Sequence, residues 1–167
     1  AQDLEGSAGG VIAFELYPYL FGAATRGGKV VLVGSGTRDP EDPGWHPAPI
    51  NRTVTSDLQT KLVDPLPPEL RQNVAVYRIE NLTVHAKLVL IDDVFASIGS
   101  ANMFSRSMVG TDCEIAAALA TSTDQVRDLR VQVWADHLRT EVTEDVRANL
   151  SDLDVALGIW RPEWVEG

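Results

Sequence analysis

Between His85 and Asn102 the chain reads H-x-K-x4-D-x6-G-S-x-N, six residue types at fixed spacing set around two apolar runs. Lys87–Ile91 and Val94–Ile98 are separated by Asp92-Asp93 alone, the pattern of two strands joined by a short hairpin connection. Strand residues alternate faces, so His85 and Lys87 point to one side while Val84, Ala86, Leu88 and Leu90 line the other. An imidazole beside an ammonium suits a phosphate group. The ammonium holds anionic oxygens, and the imidazole attacks phosphorus or passes a proton. Gly99 lets the backbone turn or approach a ligand closely, and Ser100 and Asn102 add hydroxyl and amide donors near the same place. These three read as substrate-binding positions. Asp92, at a hairpin tip where Asp is ordinary turn chemistry, reads as a support residue.

The flanking sequence predicts alternating helices and strands. Residues 11–26 mix apolar and small side chains and run into Gly27-Gly28, as a glycine-closed helix does. Lys29–Val33 is β-branched and reads as a buried strand. Residues 34–52, with four prolines, form a long loop of the kind that is often functional. A short helix over Val54–Val63 is stopped by Pro65–Pro68. Val74–Ile79 and Ile115–Ala120 read as further strands, the second of them buried. Ser122-Thr-Asp-Gln125 has the form of a capping box opening a helix to Thr140, with Val126, Leu129, Val133 and His137 on one stripe. Thr143–Leu157 reads as one more helix. Strands and helices that mix without strict βαβ alternation predict an α/β class: a mixed sheet flanked by helices, in a single lobe over 1–167.

Charge and length narrow the function. The chain has 167 residues, enough for one domain with a real core. Fourteen basic residues against 24 acidic ones leave a net charge of −10, and no basic run exists. Nucleic-acid binders draw most of their affinity from phosphate neutralisation, so nucleic acid is an unlikely partner. No apolar stretch reaches the ~18 residues a transmembrane helix needs. The first ten residues have no basic-then-apolar leader pattern. The single cysteine, Cys113, allows no internal disulfide and leans toward a reducing, cytoplasmic compartment over secretion. No cluster with metal-ligand spacing is present, so neither a metal nor another cofactor is expected.

The H-x-K-x4-D set with its trailing G-S-x-N resembles the phospholipase D superfamily, and all six positions match. The resemblance continues in Arg106-Ser107-Met108, in Asp112-Cys113-Glu114-Ile115, and in Leu129-Arg130 with Trp134 and His137-Leu138. Upstream it reaches Ala23–Val30, so that it covers about residues 10–140. It implies a phospholipase D-like sandwich fold and two lobes facing each other, each giving one H-K-D set to a shared site. One His forms a covalent phosphohistidine and the other protonates the leaving alcohol. The resemblance makes His85, Lys87, Asp92 and Glu114 the catalytic set. Glu114 would hydrogen-bond a catalytic His, often that of the partner lobe, with Asp112 as the alternative carboxylate. The implied substrate is a phospholipid diester; a nuclease, a cardiolipin-synthase-like transferase and a non-catalytic interaction lobe are the alternatives.

Only one H-K-D set occurs in the chain. The second is expected from a missing N-terminal half or from a homodimer mate. The former is preferred because no convincing strand precedes Val11. Whether His85 is nucleophile or proton donor is left open. Trp45 and His46 read as locally packed loop residues, His137 as a core-edge residue, Trp134 and Trp160 as packing residues, and Cys113 as a small buried position.

Overall fold

Helix α1 (Ala13–Thr25) ends where glycine allows it to end. Gly27 adopts φ +89°, and the amides of Gly27 and Gly28 bond back to the carbonyls of Ala24 and Ala23 at 3.1 and 2.9 Å. This left-handed closure satisfies carbonyls that the helix itself leaves orphaned. The computed structural model describes residues 13–35, 57–79, 84–102, 107 and 112–159. These fall into two units: residues 1–84 with 101–113, and residues 85–100 with 114–166.

In the first unit, strand β1 (Val30–Ser35) pairs in parallel with β2 (Val74–Ile79), Val30 opposite Val74 through Ser35 opposite Ile79. Gly34 and Ser35, expected to open the long loop, therefore belong to β1. The rest of that loop, with Trp45 and His46, lies outside the described residues, as does everything before Ala13. The core joins Ala24, Val30 and Leu66 to Leu20, Phe21, Leu32, Leu70 and Val74. Asn73 is buried yet satisfied. Its amide donates to the Ala24 carbonyl at 3.0 Å, and its oxygen accepts from Lys29 Nζ at 3.0 Å. One side chain thus ties the end of α1 to the entries of both strands. Of the helix expected over Val54–Val63, residues 57–63 are helical and end in a π-helical turn at Gln59–Val63, and 54–56 lie outside the described residues. A 3-10 helix over Pro68–Asn73, which proline content alone did not suggest, leads into β2.

The second unit holds the hairpin. Strand β3 (Lys87–Ile91) pairs antiparallel with β4 (Phe95–Gly99), and β4 pairs with β5 (Ala116–Ala120). Parallel and antiparallel pairing are both present, as an α/β fold with mixed pairing requires, but in two small sheets. The turn sits at Asp92-Asp93 as the sequence suggested, but the connection is one residue longer, since Val94 joins it and β4 begins at Phe95. Val94 N donates to Ile91 O at 3.1 Å, and Asp92 and Asp93 take φ of 51° and 54°. Such mirror-image turns match the strand twist, and Asp is among the few non-glycine residues that tolerate them.

Helix α2 (Gln125–His137) runs after β5, followed by α3 (Glu144–Ser151) and α4 (Leu153–Ile159). The anticipated single helix over Thr143–Leu157 is broken at Asp152, which is extended, and whose carboxylate accepts from the amides of Asp154 and Val155. An Asx side chain that caps a new helix competes with continuing the old one. Thr143 caps α3 by accepting from Val146 N at 3.3 Å. The Ser122 capping box does not form: Asp124 is the N-cap of α2, makes no side-chain cap bond, and instead pairs with Arg127 at 2.6 Å.

The buried stripe of α2 is Val126, Arg130, Val131, Trp134 and Ala135, rotated from the apolar stripe read in the sequence. The reason is Arg130, only 4% exposed. Its Nε and Nη2 donate to the two oxygens of Asp93 at 2.7 and 2.8 Å. Its Nη1 donates to Leu150 O at 2.7 Å, its Nη2 also to Ser151 O at 3.1 Å, and its guanidinium stacks 4.8 Å from the Trp134 ring centroid. Trp134 is a packing residue, as expected. His137 is half-buried at the edge of this helix; burial pushes its imidazole below its ordinary value, against an opposing pull from Asp136.

Two expectations of burial fail. Ile115 is 79% exposed, and β5, which among the described residues pairs only with β4, is exposed along its whole length, whereas the other outer strand, β3, is half-buried over most of its length. Cys113 is exposed too. An apolar run specifies a strand more firmly than it specifies what covers it.

The Arg130–Asp93 fork fixes the hairpin, so removing one partner should leave a buried charge unpaired. Asp93→Asn should lower the unfolding free energy by about 3 kcal/mol. Asp92→Gly, which relieves a left-handed residue with an exposed side chain, should change it by less than about 1 kcal/mol, in the stabilising direction. Urea unfolding monitored by tryptophan fluorescence checks both; equal losses would remove Arg130 from its anchoring role.

Candidate functional site

The hairpin places its chemistry at the end opposite the turn. Residues directly opposite in adjacent strands share a face, so Lys87, Gly99 and Ala116 form one row across β3, β4 and β5. In that row a single long cationic side chain is flanked by glycine and alanine. The two residues directly across the sheet from Lys87 are therefore the smallest side chains available. Lys87 is half-buried and its Nζ donates to the His85 carbonyl at 2.6 Å, which commits one of three N–H donors and draws the head group toward the strand entry.

His85 is exposed and lies two residues ahead of β3, which begins at Lys87. Standing outside the strand, it is not placed by strand alternation; the bond from Lys87 ties the ammonium to its backbone carbonyl. Gly99 closes the approach of β4 to β5. A Cβ there would stand 2.8 Å from Ile115 O and 2.9 Å from Ala116 Cβ, closer than atoms pack. The glycine is needed for the proximity of two strands, a reason its position in the sequence did not suggest.

Beyond Gly99 the ladder continues through a side chain. Ser100 N donates to Ile115 O at 3.0 Å, and Ile115 N donates to Ser100 Oγ at 3.0 Å. The Ser100 hydroxyl in turn donates to the Glu114 carboxylate in a short hydrogen bond. Lys87, Gly99, Ser100 and Glu114 are thus gathered at one end of a three-stranded sheet, with His85 at the entry to its first strand.

The other positions read in the sequence fall differently. Asp92 sits in the exposed turn, at the far end of β3 from Lys87. Its neighbour Asp93 makes the anchoring contact. Sequence reasoning missed that pair, although an Asp-Asp turn and an arginine inside an otherwise apolar helix stripe were the available signals. Asn102 belongs to the first unit and is half-buried; Asp112, the alternative carboxylate, is half-buried there as well. Among the described residues no three His, Cys, Asp or Glu side chains converge as metal ligands would, and no helix is long and apolar enough to cross a membrane.

Residues 14–136 match the family described as "Cardiolipin synthase, PLD-like domain". The chain therefore belongs to the phospholipase D superfamily. It is similar to phospholipase D alpha 4 of Arabidopsis thaliana, 37% identical over 67 residues, which are 37% of this chain and 9% of that protein. It is also similar to phospholipase D alpha 1 of Spuriopimpinella brachycarpa, 42% identical over 65 residues covering 33% of this chain and 8% of the relative. Phospholipase D1 of Schizosaccharomyces pombe is 33% identical over 106 residues, 50% of this chain and 8% of the relative. The matches thus span under a tenth of the length of these three relatives. No solved structure matches the chain.

Gly99→Ala should separate β4 from β5 at this end and cost about 1–3 kcal/mol, the usual penalty of overpacking. Hydrogen exchange at the Ser100 and Ile115 amides should accelerate selectively. Unchanged protection of those two amides would show that the strands do not need the glycine.

Proposed function

We propose that this chain is one catalytic lobe of a phospholipase D-like phosphodiesterase that acts on head-group diesters of phospholipids together with a second H-K-D lobe. The observation that carries the reading is the row Lys87–Gly99–Ala116, with His85 at its entry and Glu114 beside it. A cation flanked by the two smallest residues on its own face of the sheet offers both the charge and the room that a phosphate needs. Membership of the superfamily and likeness to named phospholipases D support the chemistry.

The reaction is a double displacement. One imidazole nitrogen attacks phosphorus and forms a P–N bond while the P–O bond to the departing alcohol breaks; the imidazole of the other lobe gives that oxygen its proton. The same imidazole then takes a proton from water, whose oxygen attacks phosphorus and releases the histidine. His85 supplies one of the two imidazoles. Lys87 holds the non-bridging oxygens as charge gathers on them, an electrostatic contribution that two lobes double. Glu114 accepts an N–H from a catalytic imidazole, fixing its tautomer and favouring its cationic form. Asp92 supports the strand connection. The matched family's description favours a second acceptor: an alcohol in place of water would make the same site a phosphatidyl transferase.

The test uses the chain together with a second H-K-D lobe, with a short-chain phosphatidylcholine as substrate. Turnover should persist in excess EDTA, since lysine and histidine side chains supply the charge stabilisation that a metal ion otherwise gives. His85→Asn should reduce it by at least ~10²–10⁴-fold without lowering stability. Turnover within a few-fold of the parent would remove His85 from the mechanism. Loss on chelation, restored by one divalent ion, would require a metal-dependent route. Cleavage of DNA with steeply salt-dependent binding, in place of lipid turnover, would move the substrate to nucleic acid.

A further inference from the structure

We propose that Ser100 acts on Glu114 and not on the substrate: it is the positioning residue that holds the carboxylate in place. This rests on the reading of Glu114 as the partner of a catalytic imidazole. A hydroxyl has one proton and two lone pairs. At Ser100 one lone pair is taken by the Ile115 amide at 3.0 Å. The acceptors within reach of its proton are the Glu114 carboxylate and, less closely, the Ile115 carbonyl at 3.4 Å. A carboxylate and a carbonyl only accept, so the proton points toward Glu114. A phosphodiester oxygen is likewise only an acceptor, and the proton it would need is already committed.

The backbone makes this arrangement stiff. Ser100 N bonds to Ile115 O at 3.0 Å, so Ser100 and Ile115 face each other through two hydrogen bonds, and Glu114 precedes Ile115 directly. The close contact at Gly99 keeps β4 and β5 from drifting apart just ahead of this pair. Glu has three side-chain torsions and loses their freedom only if something holds its end. A carboxylate accepts several hydrogen bonds, so the hold by Ser100 is compatible with an imidazole N–H on the same group.

Two measurements separate positioning from substrate binding. In the two-lobe assembly acting on short-chain phosphatidylcholine, Ser100→Ala should lower kcat roughly 10-fold, the scale of one hydrogen bond to a charged group, with KM unchanged. Ser100→Thr, which keeps the hydroxyl, should recover most of the loss. In a Glu114→Gln background the same substitution should add less than about twofold, since the two residues act as one unit. A raised KM with intact kcat, or losses that multiply, would overturn the proposal. The second measurement needs no turnover: Glu114 is titrated in the 167-residue chain by carboxyl-carbon NMR. Ser100→Ala should raise the Glu114 midpoint, because a hydrogen bond donated to the charged form is lost, and Ser100→Thr should not. An unmoved midpoint overturns the positioning role even where lipid turnover is present. A shifted midpoint without any lipid turnover sinks the phospholipase reading and leaves the Ser100–Glu114 link standing.

Discussion

The Arg130 guanidinium, buried against Trp134 and forked onto Asp93, is the contact on which the second unit depends. It reaches three elements at once: the β3–β4 turn through Asp93, its own helix through Trp134, and the end of α3 through the carbonyls of Leu150 and Ser151. A buried ion pair gains little over a well-packed apolar substitute, because desolvation offsets most of the attraction. What it adds is direction. The planar fork accepts a carboxylate in one geometry, so the turn cannot slide along the helix without losing two charge-assisted bonds. The left-handed Asp92-Asp93 pair is held where it is by that demand as well as by its own turn chemistry.

Anchoring at the turn leaves the opposite end of the hairpin for chemistry. Five residues of strand at ~3.4 Å each separate Ile91 from Lys87 by on the order of 14 Å. The fixed end and the working end are therefore distinct, and each is stabilised differently. At the turn, order comes from a buried guanidinium. At the far end it comes from backbone proximity at Gly99 and from the serine that prolongs the ladder by one step. A site made on strands this way needs few side chains of its own to hold its shape.

The elements set by hydrophobic period were legible in the sequence. The strands at Val30, Val74, Lys87 and Phe95 and the helix closed by Gly27 all rest on local patterns, and local patterns survive folding. What could not be read was which way those elements face. β5 has the same apolar run as a buried strand, but what covers its faces is a tertiary fact: it is exposed throughout, while β3, also outermost in the sheet, is half-buried. The α2 stripe was rotated because apolar residues were sought, while its central buried residue is an arginine satisfied from 37 residues upstream. The capping box failed for a related reason: Ser122 has the right spacing, yet the helix starts two residues further on and Asp124 pairs with Arg127. At the site, the row of Lys87 and Gly99 was not legible either: a connection of Asp92-Asp93 alone would set Lys87 opposite Ile98, and Val94 joining the turn shifts the register by one residue. Nor was the Ser100–Glu114 bond, since it joins residues 14 apart in sequence through a pairing no local spacing encodes.

Charge explains how an acidic chain can hold an anion site. At a net −10 the mean field repels phosphates. Three arginines of the second unit do nothing to offset this locally, because Arg127, Arg130 and Arg147 are each neutralised by an aspartate within 2.7 Å. Lys87 differs in its partner. It donates to a peptide carbonyl, which orients the ammonium and itself brings no negative charge. In the proposed function a phosphodiester would meet there a cation turned toward the strand entry, with a glycine and an alanine across the sheet from it. Attraction is then confined to the few ångströms where the chemistry occurs, and screening at physiological salt, with a Debye length of about 8 Å, hides the distant acidic surface from the bound group. In the proposed function, preference for a small anionic head group over a long polyanion would rest on the same distribution. A nucleic acid strand would have to lie along a surface that repels it, whereas a single diester needs only this one end of the sheet.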